Sequence, residues 1–121
     1  MFVLSNNNIV TISRGDTGIS SVYINIGTEY APKRYILQED DKLYLGVMEP
    51  NQSFENAIIK KIYTKDNLDD DGDVVVIFTA EDTENLEPGL YYYQIKLVRN
   101  NAEAKNVVDT IRPSTKFYIR D

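Results

Sequence analysis

Apolar residues recur at every second position in short runs, and turn residues interrupt those runs at regular intervals. Tyr91, Tyr93, Ile95 and Leu97 alternate with Tyr92, Gln94 and Lys96. Leu43, Leu45 and Val47 alternate with Tyr44 and Gly46, and Val22, Ile24 and Ile26 alternate with Tyr23 and Asn25. Side chains two apart share one face of a strand, so each run presents an apolar face to a core and a mixed face outward. Many short strands with turns between them predict an all-β sandwich of about seven to eight antiparallel strands.

Further strands are expected at Ile9–Ile12, at Lys105–Ile111 and at Thr115–Ile119, the last two separated by Arg112-Pro113-Ser114. Val74-Val75-Val76-Ile77-Phe78 is apolar throughout, which suits a strand covered on both faces. Residues 27–41 read as a long polar connection with a short strand around Tyr35–Leu37. Phe54, Ile58 and Ile62 have helical spacing, but the strand neighbours of that segment favour a strand. Asn100-Asn101 is the expected hairpin turn. Thr79-Ala80-Glu81-Asp82 places an N-cap hydroxyl three residues ahead of a carboxylate, a variant capping box. It predicts one short helical turn near residues 80–86, stopped by Pro88-Gly89.

The chain has 121 residues, 42% of them hydrophobic, which is the size and composition of a single domain spanning residues 1–121. Its net charge of −6 disfavours nucleic acid and anionic membrane surfaces as partners. It contains neither cysteine nor histidine, so disulfides, thiolate metal sites and the Ser-His-Asp and Cys-His constellations are all excluded. The start Met1-Phe2-Val3-Leu4-Ser5-Asn6 lacks the basic and apolar regions of a signal peptide, and no apolar run reaches bilayer length. A soluble protein that is not exported by the usual route is expected.

Leu86-Glu87-Pro88-Gly89-Leu90-Tyr91-Tyr92 is the most informative segment. In Greek-key sandwiches a tyrosine just after a corner returns its hydroxyl to the backbone upstream. Leu86, Pro88, Gly89 and Tyr92 are the expected corner residues, with Tyr91 the second choice for the tyrosine.

The acidic turn Asp69-Asp70-Asp71-Gly72-Asp73 raises a calcium reading, with Asp69, Asp71 and Asp73 as candidate ligands. Phe78 falls where an EF-hand loop needs its bidentate glutamate, so a solvated turn is the simpler reading. Arg14-Gly15-Asp16 spells an integrin-read tripeptide, and also makes an ordinary turn. A carboxylate pair for glycoside hydrolysis is conceivable, but the acids cluster in turns. No phosphate-binding glycine loop is present, and no cofactor is expected. Nine tyrosines give amphipathic contact area suited to interfaces. Tyr23, Tyr44 and Tyr118 fall on the outward alternation and are the candidate interface.

Five segments also resemble one family of proteins. Arg14-Gly15-Asp16-Thr17 is similar to its "RGDT" opening. Leu37-Gln38-Glu39-Asp40-Asp41-Lys42-Leu43-Tyr44 is similar to "LQEGDKVYF", with Asp40 in place of the usual glycine, and Ala57-Ile58-Ile59-Lys60-Lys61 to "ALIQK". Residues 81–97 resemble "EDTKNLEPGTYYYDIQL", and Thr110-Ile111-Arg112-Pro113-Ser114-Thr115-Lys116-Phe117 resembles "TIIPPSKF". These run in order through most of the chain. They resemble the N-terminal domain of tailed-phage baseplate upper proteins and related Ig-like modules of tails and heads.

The resemblance implies an Ig-like sandwich that attaches to a virion, usually in symmetric copies, and it brings no catalytic residue with it. Longer members continue into receptor-binding or fibre regions, whereas this chain stops after the sandwich, as an adaptor or accessory protein would. The expectation is a non-enzymatic virion protein, made in the bacterial cytoplasm, whose partners are other phage structural proteins or further copies of itself. A carbohydrate-binding or host-attachment module is the alternative.

Overall fold

The computed structural model describes residues 1–101 and 104–121. Among the described residues, eight strands and one α-helical turn follow in order: β1 (Phe2–Leu4), β2 (Val10–Ser13), β3 (Gly18–Val22), β4 (Lys42–Met48), β5 (Ile59–Tyr63), β6 (Val74–Phe78), α1 (Ala80–Thr83), β7 (Gly89–Arg99) and β8 (Val107–Arg120). They form a β-sandwich of two unequal sheets. One has six strands in the order β1-β2-β8-β7-β4-β5, and the other pairs β3 with β6. The all-β, Ig-like expectation is met.

The core fills the space between the sheets. Leu43, Leu45, Val47, Tyr93, Ile95, Leu97, Phe117 and Ile119 come from the large sheet, and Val22, Val74, Val76 and Phe78 from the small one. Phe117 stands edge-on to Phe78 at 5.4 Å and to Tyr93 at 5.9 Å between ring centres, so one aromatic cluster joins the layers. The alternation seen in the sequence is the cause: every second residue of β7 from Tyr91 to Leu97 is buried.

Several elements depart from expectation. The pairing is antiparallel except between β2 and β8, which run parallel. Tight turns enforce antiparallel neighbours, and no turn joins these two strands from opposite ends of the chain. The two strands expected at the end are one 14-residue strand, β8. From Tyr93 to Ile95 and then Lys96, β7 takes two steps and one, while β8 goes from Thr115 to Arg112 and then Thr110, three steps and two. The extra residues form a bulge around Pro113, which has no N–H to give a ladder. The ladder bends there without ending.

The segment 54–63 divides into a 3-10 turn, Phe54–Asn56, followed by β5. Within the long connection, Asn25 bridges Arg34, and Tyr35 N–H donates to Ile24 O, so the short ladder lies slightly ahead of the expected Tyr35–Leu37. The β7–β8 connection runs from residue 100 to 106, longer than a two-residue Asn100-Asn101 turn, and residues 102 and 103 lie outside the described residues. Strand β6 is not covered on both faces: Val74, Val76 and Phe78 are buried, but Ile77 is 44% exposed.

The helical turn forms as its capping box requires. Asp82 accepts from Thr79 N–H at 2.8 Å, and Asp82 N–H donates back to Thr79 O at 3.1 Å. Lys61 then reaches Asp82 at 2.7 Å, tying the turn to the edge of the large sheet.

Candidate functional site

The corner at the start of β7 closes through Tyr91, not Tyr92. Tyr91 Oη donates to the carbonyl of Glu87 at 2.6 Å, four residues upstream. The reason is strand parity. Tyr91 shares the inward face with Tyr93 and Ile95, while Tyr92 shares the outward face with Gln94 and stands opposite Met48 and Lys116. Leu86 packs against the core, and Pro88 and Gly89 are exposed at the bend, where Gly89 takes φ 152°. Burial raises the Tyr91 hydroxyl pKa, and the Glu49 and Glu87 charges add to it, so the donor stays protonated.

The acidic turn is held by one of its carboxylates, that of Asp69. Asp69 Oδ1 accepts from the backbone N–H of Asp71 at 2.9 Å and of Asp73 at 3.0 Å, and Gly72 supplies φ 84° at the bend. Asp73 pairs with Arg34 at 3.1 Å. Asp71 is exposed, and its carbonyl accepts from Arg34. Asp69 is thus engaged in turn geometry and Asp73 in an ion pair, and the described residues contain no acidic group of three arranged to hold a metal.

Arg14-Gly15-Asp16 is a tied turn. Gly15 N–H donates to Thr83 Oγ1 at 2.9 Å, and Arg14 pairs with Asp121 at 2.6 Å. Gly15 takes φ 81°.

The three candidate interface tyrosines do not share a surface. Tyr23 follows β3 on the small-sheet layer, 55% exposed, with the Arg34 guanidinium 4.9 Å from its ring centre. Tyr44 and Tyr118 lie on the outer face of the large sheet, both half-buried. Tyr44 is in register with Lys96 and Tyr118 with Leu90, which puts them roughly 20 Å apart at strand rise. They form no common stacking platform.

Beside Tyr44 the outer face is cut by a groove of about 210 Å³, lined by Gly46, Phe54, Ala57, Lys60 and Ile62. Phe54 lies over Gly46, where a Cβ would sit 2.9 Å from its ring. The Lys96 ammonium is 4.7 Å from the centre of the same ring. Only glycine at position 46 leaves the 3-10 turn room to rest on the sheet.

A site missed by sequence reading lies at one end of the sandwich. Asp41 ends the polar connection expected at residues 27–41, yet it is 1% exposed. Its carboxylate accepts from Tyr35 Oη, from Gln38 N–H at 2.9 Å, from Asn100 N–H at 3.1 Å and from Asn101 Nδ2 at 3.3 Å. Burial alone would raise its pKa. The bonds from Tyr35, Gln38, Asn100 and Asn101 outweigh burial and hold the carboxyl below its ordinary value. The Tyr35 hydroxyl is pushed well up, by burial first and then by Asp41. This pin joins the long connection to the β7–β8 loop. No pattern signal in the sequence separates Asp41 from its exposed neighbours Glu39 and Asp40.

Compared with known proteins, the sequence matches no family model and no curated relative.

Proposed function

We propose that this chain is a non-enzymatic structural or accessory protein of a tailed-phage virion, docking on head, tail or baseplate neighbours through its sandwich. The observation that carries the reading is the ordered run of family-like segments from Arg14-Gly15-Asp16-Thr17 to Thr110–Phe117. One structural detail supports that alignment. Asp40, where the similar segments carry glycine, has φ 69°, a left-handed conformation that glycine favours and aspartate tolerates. The edges of the large sheet at β1 and β5 supply unpaired backbone groups that a neighbour could extend. Symmetric multiplicity would make weak individual contacts sufficient.

Mass spectrometry and electron microscopy of purified particles test the proposal. Stoichiometric, symmetry-related copies on head, neck, tail or baseplate are the expected result. Absence from intact particles would overturn it. The carbohydrate-binding alternative draws no support from the tyrosines, which lie apart, and a glycan array with the purified domain checks it directly.

A further inference from the structure

The two outer surfaces of the sandwich are opposite in charge and both partly apolar. On the six-stranded sheet, Lys42, Lys60, Lys96, Lys116 and Arg120 occupy outward strand positions, as the register with their neighbours requires. No Asp or Glu occupies an outward position on any strand of that sheet. Glu55, on the 3-10 turn resting there, lies close enough to Lys96 to feel its charge. Five of the thirteen Lys and Arg residues are therefore gathered on a face that includes the Tyr44–Phe54–Ile62 groove, and Ile62 is 58% exposed.

The opposite surface is the outside of the β3–β6 pair. Ile19 stands directly across from Ile77, and they are 66% and 44% exposed. Acids flank the pair along the chain and outnumber the cations there, since Lys65 is the one exposed lysine of the same segments and Arg34 is paired with Asp73. Asp66, Asp70 and Asp71 precede β6, and Glu81 and Glu84 follow it, all exposed.

We infer that the basic face of one copy binds the acidic, isoleucine-bearing back of another, so that copies stack face to back. Like charge decides against the alternatives. Joining two basic faces would set five cations against five, and joining two backs would set acids against acids. Only the mixed contact neutralises charge while covering apolar surface on both sides. A contact between two different patches is heterologous, so it generates a ring or an open column and not a closed dimer. With facing layers about 10 Å apart, successive copies would repeat roughly every 20 Å. This inference rests on charge and exposure, independently of the virion proposal, and either can fail alone.

Sedimentation of the purified chain tests it, with two charge-reversed variants: K42E/K60E/K116E on the face, and D70K/D71K/E84K on the back. All six positions are exposed, and circular dichroism melts confirm folding of both variants. The wild type is expected to form oligomers beyond the dimer at about 20 mM salt, and its association constant to fall at least tenfold by about 500 mM salt, where screening is short-ranged. Each variant alone should stay monomeric. Their equimolar mixture should associate, because every contact in it is again between opposite charges. A wild type that remains monomeric at millimolar concentration, a dimer that grows no further, or variants that still self-associate alone would each overturn the inference.

Discussion

Outside the six-stranded sheet, the cationic side chains of Lys42, Lys60, Lys96 and Lys116 stand among apolar and aromatic ones such as Tyr44, Ile62 and Val108. Outside the two-stranded sheet, β6 stays apolar on both faces and puts Ile77 opposite Ile19. Both sheets contribute to one core, so their inner faces obey one rule. Their outer faces differ because the large sheet interleaves lysines with its outward apolar residues, while β6 carries Val75 and Ile77 outward with no charged residue between them. An unbroken apolar run is the pattern of a strand covered on both faces, and within one copy Ile77 on the outer face stays 44% exposed.

The largest effect should come from the inner side of that comparison. Phe78→Ala removes a buried ring in edge contact with Phe117 and should cost about 3–5 kcal/mol. A urea melt reads it as a fall in midpoint at unchanged slope. A loss below about 1 kcal/mol would mean that the two layers do not share a well-packed core.

Next comes the end of the sandwich pinned by Asp41. Removing the carboxylate with Asp41→Ala leaves several donors without their acceptor and should cost about 1–3 kcal/mol. The folded-state pKa of Asp41 is depressed, so its contribution is full above the unfolded carboxyl value and is lost as pH falls through the folded one. Melting temperature measured from pH 7 down to pH 2 should therefore drop in acid for the wild type and drop less for Asp41→Asn. Equal acid sensitivity in both would show that other carboxylates govern it.

These two cases mark what the sequence could and could not reveal. Strand alternation was legible because burial and side-chain periodicity are one fact, and the α1 capping box was legible because its residues are adjacent. The choice between Tyr91 and Tyr92 was also available, since Tyr91 has the parity of Tyr93 and Ile95, but the corner motif drew attention ahead of the parity. The parallel β2–β8 pair, the bulge at Pro113 and the Asp41 pin depend on partners tens of residues away, which no local pattern encodes. The outer apolar row of Ile19 and Ile77 was half visible: β6 was read as covered on both faces, which holds for the inner face of a single copy and not the outer one.

The corner offers a smaller, sharper contrast. Tyr91→Phe deletes one hydrogen bond, from Tyr91 Oη to Glu87 O, and should cost about 0.5–1.5 kcal/mol. Tyr92→Phe, one residue along and on the outward face, should stay within about 0.5 kcal/mol of wild type. Reversed magnitudes in parallel denaturation curves would move the corner back to Tyr92.

The smallest effect is expected on the outer face of β6, and it bears most directly on why the two surfaces differ. Ile77→Thr exchanges one β-branched residue for another, so strand preference is kept while apolar surface is reduced. Ile77 is 44% exposed in the single copy, and its neighbour on that face is Ile19, so little packing is lost. Dilute-solution stability should therefore change by less than about 0.5 kcal/mol. The Ile19→Thr/Ile77→Thr pair should likewise leave the dilute monomer stable, yet weaken face-to-back association at low salt. A loss above about 2 kcal/mol in the dilute monomer would show that a single chain already covers this row. The apolar outer face of β6 would then belong to the fold, and the contrast between the two outer surfaces would no longer point to contact between copies.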